Sequence, residues 1–411
     1  MIRTVSKFVV NITVITIFAI FSLNSLSEAR AYTLSELESR ALESHPAISG
    51  AVSEIHALQG KKMQAGLSPN PVFSYTGSEM GNDGKGGFQG GTISQEIVTA
   101  GKLQKDQSVV DQEILAARYN LSAIQLMVVK QIRQAGYEVM AARRIVAVNE
   151  TIKNIVQQTL DNSESLYKSG QLSLTDLYLI RIESKNANLE WENSKTRYWN
   201  AWKQLAASVG DVNLPPEVME DTLDTLGAEL TWEGISAKIE TQSPELAQAQ
   251  TRYLQASAQY HAEVARKTPN IEIEAGMQYD CSSNYNTGLV TISVPIPFYN
   301  QNQGNIAQAQ AQINQAVSEA ANMNLSIRQR LARAFTQYET AKRQLEWFKT
   351  EIEPDLQKAL NTAQNAFKQG EINTQQLQAV QKNYFEQIRS IIEIKAQLQS
   401  SAAEIAAFFI D

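Results

Sequence analysis

The chain has 411 residues, with 43% hydrophobic and 19% charged residues and a formal net charge of −7. That composition belongs to a folded protein rather than a disordered one, and the acidic balance argues against nucleic acid as a partner. A single cysteine, Cys281, excludes any internal disulfide.

The N-terminus reads as an export signal. Arg3 and Lys7 precede a mostly apolar run, Phe8 to Leu23, and Ala29-Arg30-Ala31 fits a small-x-small cleavage site. The signal therefore covers residues 1–31 and the mature chain starts near Tyr32; an uncleaved anchor is the other reading, although the apolar core is short for a span. The segment carries three basic residues and one acid, so removing it takes the net charge from −7 to −9. No cysteine lies near the cleavage site to carry a lipid.

Thr33 to Gly66 reads as helix, opened by a capping box of Thr33 and Glu36 and broken at Pro46. The same opening returns 198 positions later at Thr231, with Pro244 in the place of Pro46. Next come strands. Ser68-Pro69-Asn70-Pro71 introduces Val72 to Ser78, and Thr268-Pro269-Asn270 introduces Ile271 to Asp280. In the latter, Ile271, Ile273, Ala275, Met277 and Tyr279 alternate with Glu272, Glu274, Gly276, Gln278 and Asp280, giving one apolar and one polar, acidic face. Turns at Gly81 to Gly87 and Cys281 to Asn286 lead to return strands, Phe88 to Val98 and Thr287 to Ile296, the latter with Val290, Ile292, Val294 and Ile296 on one face. The β-hairpins thus occupy 69–98 and 269–297.

Strands of about ten residues can cross an outer membrane when tilted. Two hairpins cannot enclose a channel alone, because a small barrel needs about eight strands. Glu272 and Glu274 would suit a water-filled lumen and would be costly against lipid. A surface hairpin on a soluble protein would alternate in the same way.

Long helices follow each hairpin. Lys102 to Lys168 contains no proline, and its apolar residues run Val110, Ile114, Ala117, Leu121, Ile124 and Val128 before shifting register to Ile132, Ala135, Val139, Ala142 and Val146. In the second half Ile327, Leu331, Ala334, Tyr338, Ala341, Leu345, Phe348 and Ile352 fall four and three apart, a heptad seam. About 65 helical residues extend on the order of 100 Å. Pro354 should kink or break the second long helix.

Each long helix ends in a similar twelve-residue stretch, LYKSGQLSLTDL at Leu166–Leu177 and AFKQGEINTQQL at Ala366–Leu377, with Gly170 and Gly370 standing 200 positions apart. Glycine stops the first helix, and Ser173 or Asn373 caps the next, with Asp176 or Gln376 at the third helical position. Return helices then run from Leu174 to Val209 and from Thr374 to Phe409. The duplication gives a first repeat at 32–210, a connector at 211–230 containing Pro215-Pro216, and a second repeat at 231–411. The clustered Trp191, Trp199 and Trp202 read as core packing. The fold class is mainly α with a small β portion, built of long antiparallel coiled-coil hairpins and two two-stranded β-hairpins.

Catalytic chemistry is not indicated. His45, His56 and His261 are scattered, no cluster has metal-ligand spacing, and Gly84-Lys85-Gly86-Gly87 lacks the context of a phosphate loop. The chain reads as neither an enzyme nor a protein with a cofactor or resident metal.

The motifs AGLSPNPVF (65–73), TISQEIVTAGK (92–102) and VPIPFYNQNQGNIAQA (294–309), in order with the two glycine turns, resemble the TolC-type outer-membrane efflux proteins over nearly the whole mature chain. The proline-asparagine-proline start and the phenylalanine-to-NQG exit are most similar to the CzcC-type subgroup, associated with export of heavy-metal cations. The resemblance implies a homotrimer in which each chain gives four strands to a twelve-stranded barrel, continued by twelve helices into the periplasm. It implies outer-membrane lipid around the barrel and a periplasmic membrane-fusion adaptor at the helical turns, linking the duct indirectly to an inner-membrane pump. The turn residues carried over are Gly170, Gln171, Leu172 and Ser173, with Gly370, Glu371, Ile372 and Asn373; Leu172 and Ile372 are expected to lie exposed at the tip. Asp176 matches an acidic ring at the closed inner end of the TolC channel, while Gln376 departs from it; a helix cap explains Asp176 equally. Two other classes stand beside the duct: an exported periplasmic coiled-coil scaffold without a pore, and an enzyme with an elongated helical domain. Partition with the outer membrane separates the duct from the scaffold.

Overall fold

The computed structural model describes residues 31–78, 87–216, 218–225, 227, 229–369 and 371–410. The expected export signal, the tip of the first β-turn and Gly370 fall outside that range. In chain order the elements are α1 (Leu34–Ser44), α2 (Pro46–Ala65), β1 (Val72–Ser78), β2 (Phe88–Ile97), α3 (Lys102–Lys168), α4 (Leu174–Val209), α5 (Trp232–Gln242), α6 (Pro244–Ala265), β3 (Ile271–Asp280), β4 (Tyr285–Ser293), α7 (Gln303–Trp347), a π-helical turn (Phe348–Ile352), α8 (Glu353–Lys368) and α9 (Thr374–Ala406). The described residues within 31–43, 131–227 and 340–400 make one compact unit; those within 44–130, 229–339 and 401–410 make the other. Each unit takes segments from both sequence repeats.

The first unit holds α1, the distal part of α3, α4, α8 and most of α9. Its core collects Leu37, Ile132, Val139, Met140, Leu205 and Leu223, all essentially inaccessible to solvent. Among the three tryptophans of α4, only Trp202 belongs to this core, where its indole N–H donates to the Leu214 carbonyl at 3.3 Å. Trp199 is exposed, and Trp191 lies under the ammonium groups of Lys153 and Lys195, 3.5 and 3.7 Å from its ring centre. Core packing therefore accounts for one of the three, and cation–π contact for another.

The segment after α4 is tied down in the same unit. Tyr32 and Met219 form a parallel bridge, with Tyr32 N–H donating to Val218 at 2.8 Å and Glu220 N–H donating to Tyr32 at 3.0 Å. Arg144 donates twice to Asp221, at 2.6 and 2.9 Å, and once to Asp224, at 2.6 Å; Lys395 also donates to Asp224 at 2.6 Å. The Arg144 and Lys395 hydrogen bonds hold the Asp224 carboxyl down to about 2, from an ordinary 3.8. A carboxylate shifted down on folding stabilises the folded chain fully above its unfolded value and loses that contribution as pH falls through the folded one. Because Asp224 is more than half exposed, solvent screening keeps the effect below about 1 kcal/mol. The stability difference between the parent chain and Asp224→Ala should be constant above about pH 5, shrink as the pH falls through the folded value, and vanish only near about pH 1, as read by thermal unfolding in detergent. A gap that stays constant from about pH 5 to about pH 1 would mean that the charge is not its source.

The break expected at Pro354 takes a specific form. Pro354 follows the π turn with no break in the helical backbone, so the widened turn takes up the ring and the missing N–H that a regular helix interior would not accommodate. Upstream, the heptad seam is buried as its spacing requires: Ile327, Leu331 and Ala334 are each 1% accessible, with Tyr338 close behind.

The second unit holds α2, the proximal part of α3, α5, α6, α7 and every described strand. Ile55 on α2 packs with Val110, Ile114 and Ala117 on α3, and Leu58, Ala65 and Leu121 extend the cluster. Cross-element ion pairs, Lys61–Glu113 at 2.6 Å and Arg266–Asp106 at 2.7 Å, trim the exposed rim of this packing. No described helix is long and apolar enough to cross a membrane.

Candidate functional site

The four strands form one antiparallel sheet in the order β1-β2-β3-β4. The joint between the repeats is β2 against β3, paired from Phe88↔Asp280 to Ile97↔Ile271. Two glycines on one face permit it. A Cβ on Gly90 would stand 2.3 Å from the Met277 carbonyl oxygen, and one on Gly276 would stand 2.4 Å from the Gly91 oxygen. β1 and β4 remain open edges, each with an unpaired row of backbone donors and acceptors. β4 ends at Ser293, short of the expected Ile296, because Pro295 cannot donate to a ladder.

Register assigns the faces. Phe73, Tyr75, Ile93, Ala275, Met277, Val290 and Ile292 share one face, together with Ile273 and Tyr279. The other face carries Ser74, Thr92, Ser94, Glu96, Glu272, Glu274, Gln278 and Thr291. Accessibility runs opposite to that of a water-soluble sheet. Along β3 the apolar Ile273, Ala275, Met277 and Tyr279 are exposed, while Glu274, Gly276, Gln278 and Asp280 are half-buried. An apolar outer band over a sheltered polar inner face is the arrangement of a membrane barrel wall.

Glu272 and Glu274 lie on the polar face, as the alternation requires, and Glu96 joins them directly opposite Glu272. The same period of two in β2 would have found Glu96, since it puts Glu96 on the face opposite Ile93 and Ile97. Below the sheet, Asn270 organises the passage into helix: its side-chain N–H donates to Glu96 at 2.6 Å, and its side-chain oxygen accepts from Lys102 and, at 3.3 Å, from the Thr99 N–H. Partial burial lowers the Lys102 ammonium from its ordinary 10.5, against the upward pull of Glu96. Next to the start of α7, buried Glu263 accepts from Arg266, from Gln259 at 2.7 Å and from the Asn302 side chain at 2.8 Å. The Asn270 contacts and the Asn302–Glu263 bond are long in sequence and left no local signal.

The helical turns form a second candidate surface, in the other unit. Gly170 has φ +76, a left-handed conformation that favours glycine. Its N–H donates to Tyr167 at 3.0 Å and that of Gln171 to Leu166 at 2.9 Å, the double closure of a Schellman stop. Ser173 then caps α4: its hydroxyl accepts the Asp176 N–H at 3.1 Å and donates to the Asp176 carboxylate at 2.7 Å. The second turn repeats the closure through Glu371 N–H to Ala366 at 2.9 Å. There Asn373 and Gln376 exchange reciprocal side-chain-to-backbone bonds at 2.9 and 3.0 Å, a complete capping box. Leu172 and Ile372 are half-buried, not fully exposed. Gln171, Ser173, Glu371 and Asn373 are exposed.

Among the described residues no group of three or more His, Cys, Asp or Glu side chains is placed to hold a metal ion. The geometry offers a wall and two turns, not a reacting centre.

A sequence profile described as "Outer membrane efflux protein" matches residues 37–211 and 236–408. The cobalt-zinc-cadmium resistance protein CzcC of Cupriavidus metallidurans is 22% identical over 373 residues, 91% of this chain and 88% of that protein. Among solved structures, CusC superposes with a TM-score of 0.76 at 17% identity, covering 92% of each chain. The outer membrane protein VceC of Vibrio cholerae superposes with a TM-score of 0.73 at 16% identity, covering 90% of this chain and 94% of that one.

Proposed function

The chain belongs to the outer membrane efflux protein family, and on that premise we propose how its residues make it the exit duct of a three-component pump. It is a non-catalytic outer-membrane channel component with a long helical extension on the periplasmic side. An adaptor and an inner-membrane pump are the usual partners of such channels. The two repeats, 32–210 and 231–411 about the connector 211–230, act together in one wall segment. Copies of the chain, three by family resemblance, join sheet edge to sheet edge into a closed barrel. Glu96, Glu272 and Glu274 face its lumen and bias passage toward cations. That bias suits heavy-metal cargo, a reading supported by the likeness to a cobalt-zinc-cadmium resistance protein. A duct of this kind needs no binding site of its own.

The single observation that carries this reading is the inversion along β3, where Ile273, Ala275, Met277 and Tyr279 are exposed while Glu274, Gly276, Gln278 and Asp280 are half-buried. Planar-bilayer recordings test it. The purified protein should conduct with a cation preference, and Glu96→Gln/Glu272→Gln/Glu274→Gln should reduce the cation-to-anion permeability ratio severalfold. Absence of conductance, or an unchanged ratio, would sink it. In the same recordings Asp176→Asn should leave selectivity unaltered, because the carboxylate is engaged by the Ser173 hydroxyl as part of the cap.

The turns dock the adaptor in this proposal. Gly170, Gln171, Leu172 and Ser173, with Gly370, Glu371, Ile372 and Asn373, present two like shapes built on nearly identical capping. Leu172→Asp with Ile372→Asp should lower adaptor capture at least tenfold while oligomer migration on native gels is preserved, since neither residue is part of the core. Undiminished capture would remove the turns from the interface.

A further inference from the structure

The segment Val294–Tyr299 belongs to neither the sheet nor the helices, and the duct reading does not use it. It runs Val-Pro-Ile-Pro-Phe-Tyr between β4 and α7, and its apolar side chains are among the most accessible in the chain: Ile296 is 85% exposed, Phe298 77% and Tyr299 87%. The spacing continues that of β4, so Val294, Ile296 and Phe298 follow Val290 and Ile292 in the period of the apolar face. The two rings meet edge to face with centres 5.0 Å apart.

Two features narrow what can cover this segment. Pro295 and Pro297 have no N–H, so an added strand from another copy cannot extend its ladder past Ser293. The Phe298 N–H is already used, donating to Ile296 at 2.9 Å. Charge is also absent: between Asp280 and Glu319 there is no Asp, Glu, Lys or Arg. An uncharged stretch with few free backbone donors, ending in a phenylalanine and a tyrosine, suits the boundary where hydrocarbon gives way to headgroups.

We propose that Val294–Tyr299 is a lipid-interface anchor that fixes the depth of the sheet by inserting into the glycerophospholipid leaflet at the end from which α7 departs. This rests on the apolar sheet face being the lipid-facing one, and the test separates the two claims. In full-length protein carrying Cys281→Ser, single cysteines at Val290, Ile296, Tyr299 and Asn305 would be spin-labelled and reconstituted into phosphatidylethanolamine–phosphatidylglycerol vesicles. Collision with oxygen is then compared with collision with a water-soluble nickel chelate. Labels at 296 and 299 should show an oxygen-to-nickel ratio severalfold above that at 305 and below that at 290. Water-like ratios at 296 and 299 with a lipid-like ratio at 290 would overturn the anchor alone. Shielding from both probes at 296 and 299 would overturn it in favour of a second copy as the occupant. A water-like ratio at 290 would overturn the sheet assignment itself. Should a labelled variant not assemble, Tyr299→Trp supplies a second measurement: emission above the parent's should be quenched severalfold more by brominated than by ordinary lipid. Equal emission in both lipids would count against the anchor.

Discussion

Replacing Val290 with arginine is expected to cost about 2–4 kcal/mol of stability in a bilayer if the side chain sits near mid-depth. Val290 is highly exposed in the chain by itself, so no protein packing is lost by the change. A water-soluble sheet would register the same substitution as neutral. Its partner across the ladder, Ala275, points to the same face, while Thr291 next to it points to the other. Thr291→Arg should therefore be tolerated, with its charge in water, and should lower cation preference instead. Unfolding titrations in vesicles read the first effect and bilayer recordings the second. Equal tolerance of arginine at 290 and 291 would mean that the two faces do not meet different solvents.

The second large effect is expected at Gly276. Any side chain there points toward the Gly91 oxygen and Thr92, whose Cα would lie 2.9 Å from the new Cβ. Two of these obstacles are backbone, so relief requires β2 and β3 to separate. Gly276→Val should cost about 1–3 kcal/mol through overpacking. Because this ten-pair ladder is the main joint between the hairpins of the two repeats, the loss should appear as failed insertion, with the helical content preserved. Circular dichroism together with a folded-versus-unfolded gel shift would show it. Gly288→Val, where a Cβ meets nothing within 4 Å, is the matched control. Normal assembly of Gly276→Val would show that the sheet tolerates a wider spacing than this geometry allows.

The helices were legible to a degree the sheet was not. The bounds of α3 and α4 coincide with those read from apolar spacing, the Gly170 stop and the Ser173 cap, because all three signals are local. β3 was equally clear from its alternation. β4 was overrun by three residues, since alternation reports which way side chains face and says nothing about whether a ladder continues; the prolines decide that. The pairing of β2 with β3 joins residues far apart in sequence and has no local marker, so only the family resemblance pointed to four strands in one wall. The partial burial of Leu172 and Ile372 likewise has no local marker in the sequence. Glu96 was legible but unread, whereas the Asn270 and Glu263 contacts required coordinates.

The open edges of β1 and β4 bear on how such a chain matures in the cell. A ribbon that keeps its hydrogen-bonding groups unanswered on both flanks cannot complete its folding in isolation, so the last step is bimolecular and slows with dilution. Until partners meet, newly exported chains are vulnerable to mispairing with any other unfinished strand, and the opportunity for error grows with crowding at the same rate as the opportunity for success. Timely delivery to the membrane is therefore as much a condition of the finished wall as the ladder that closes it.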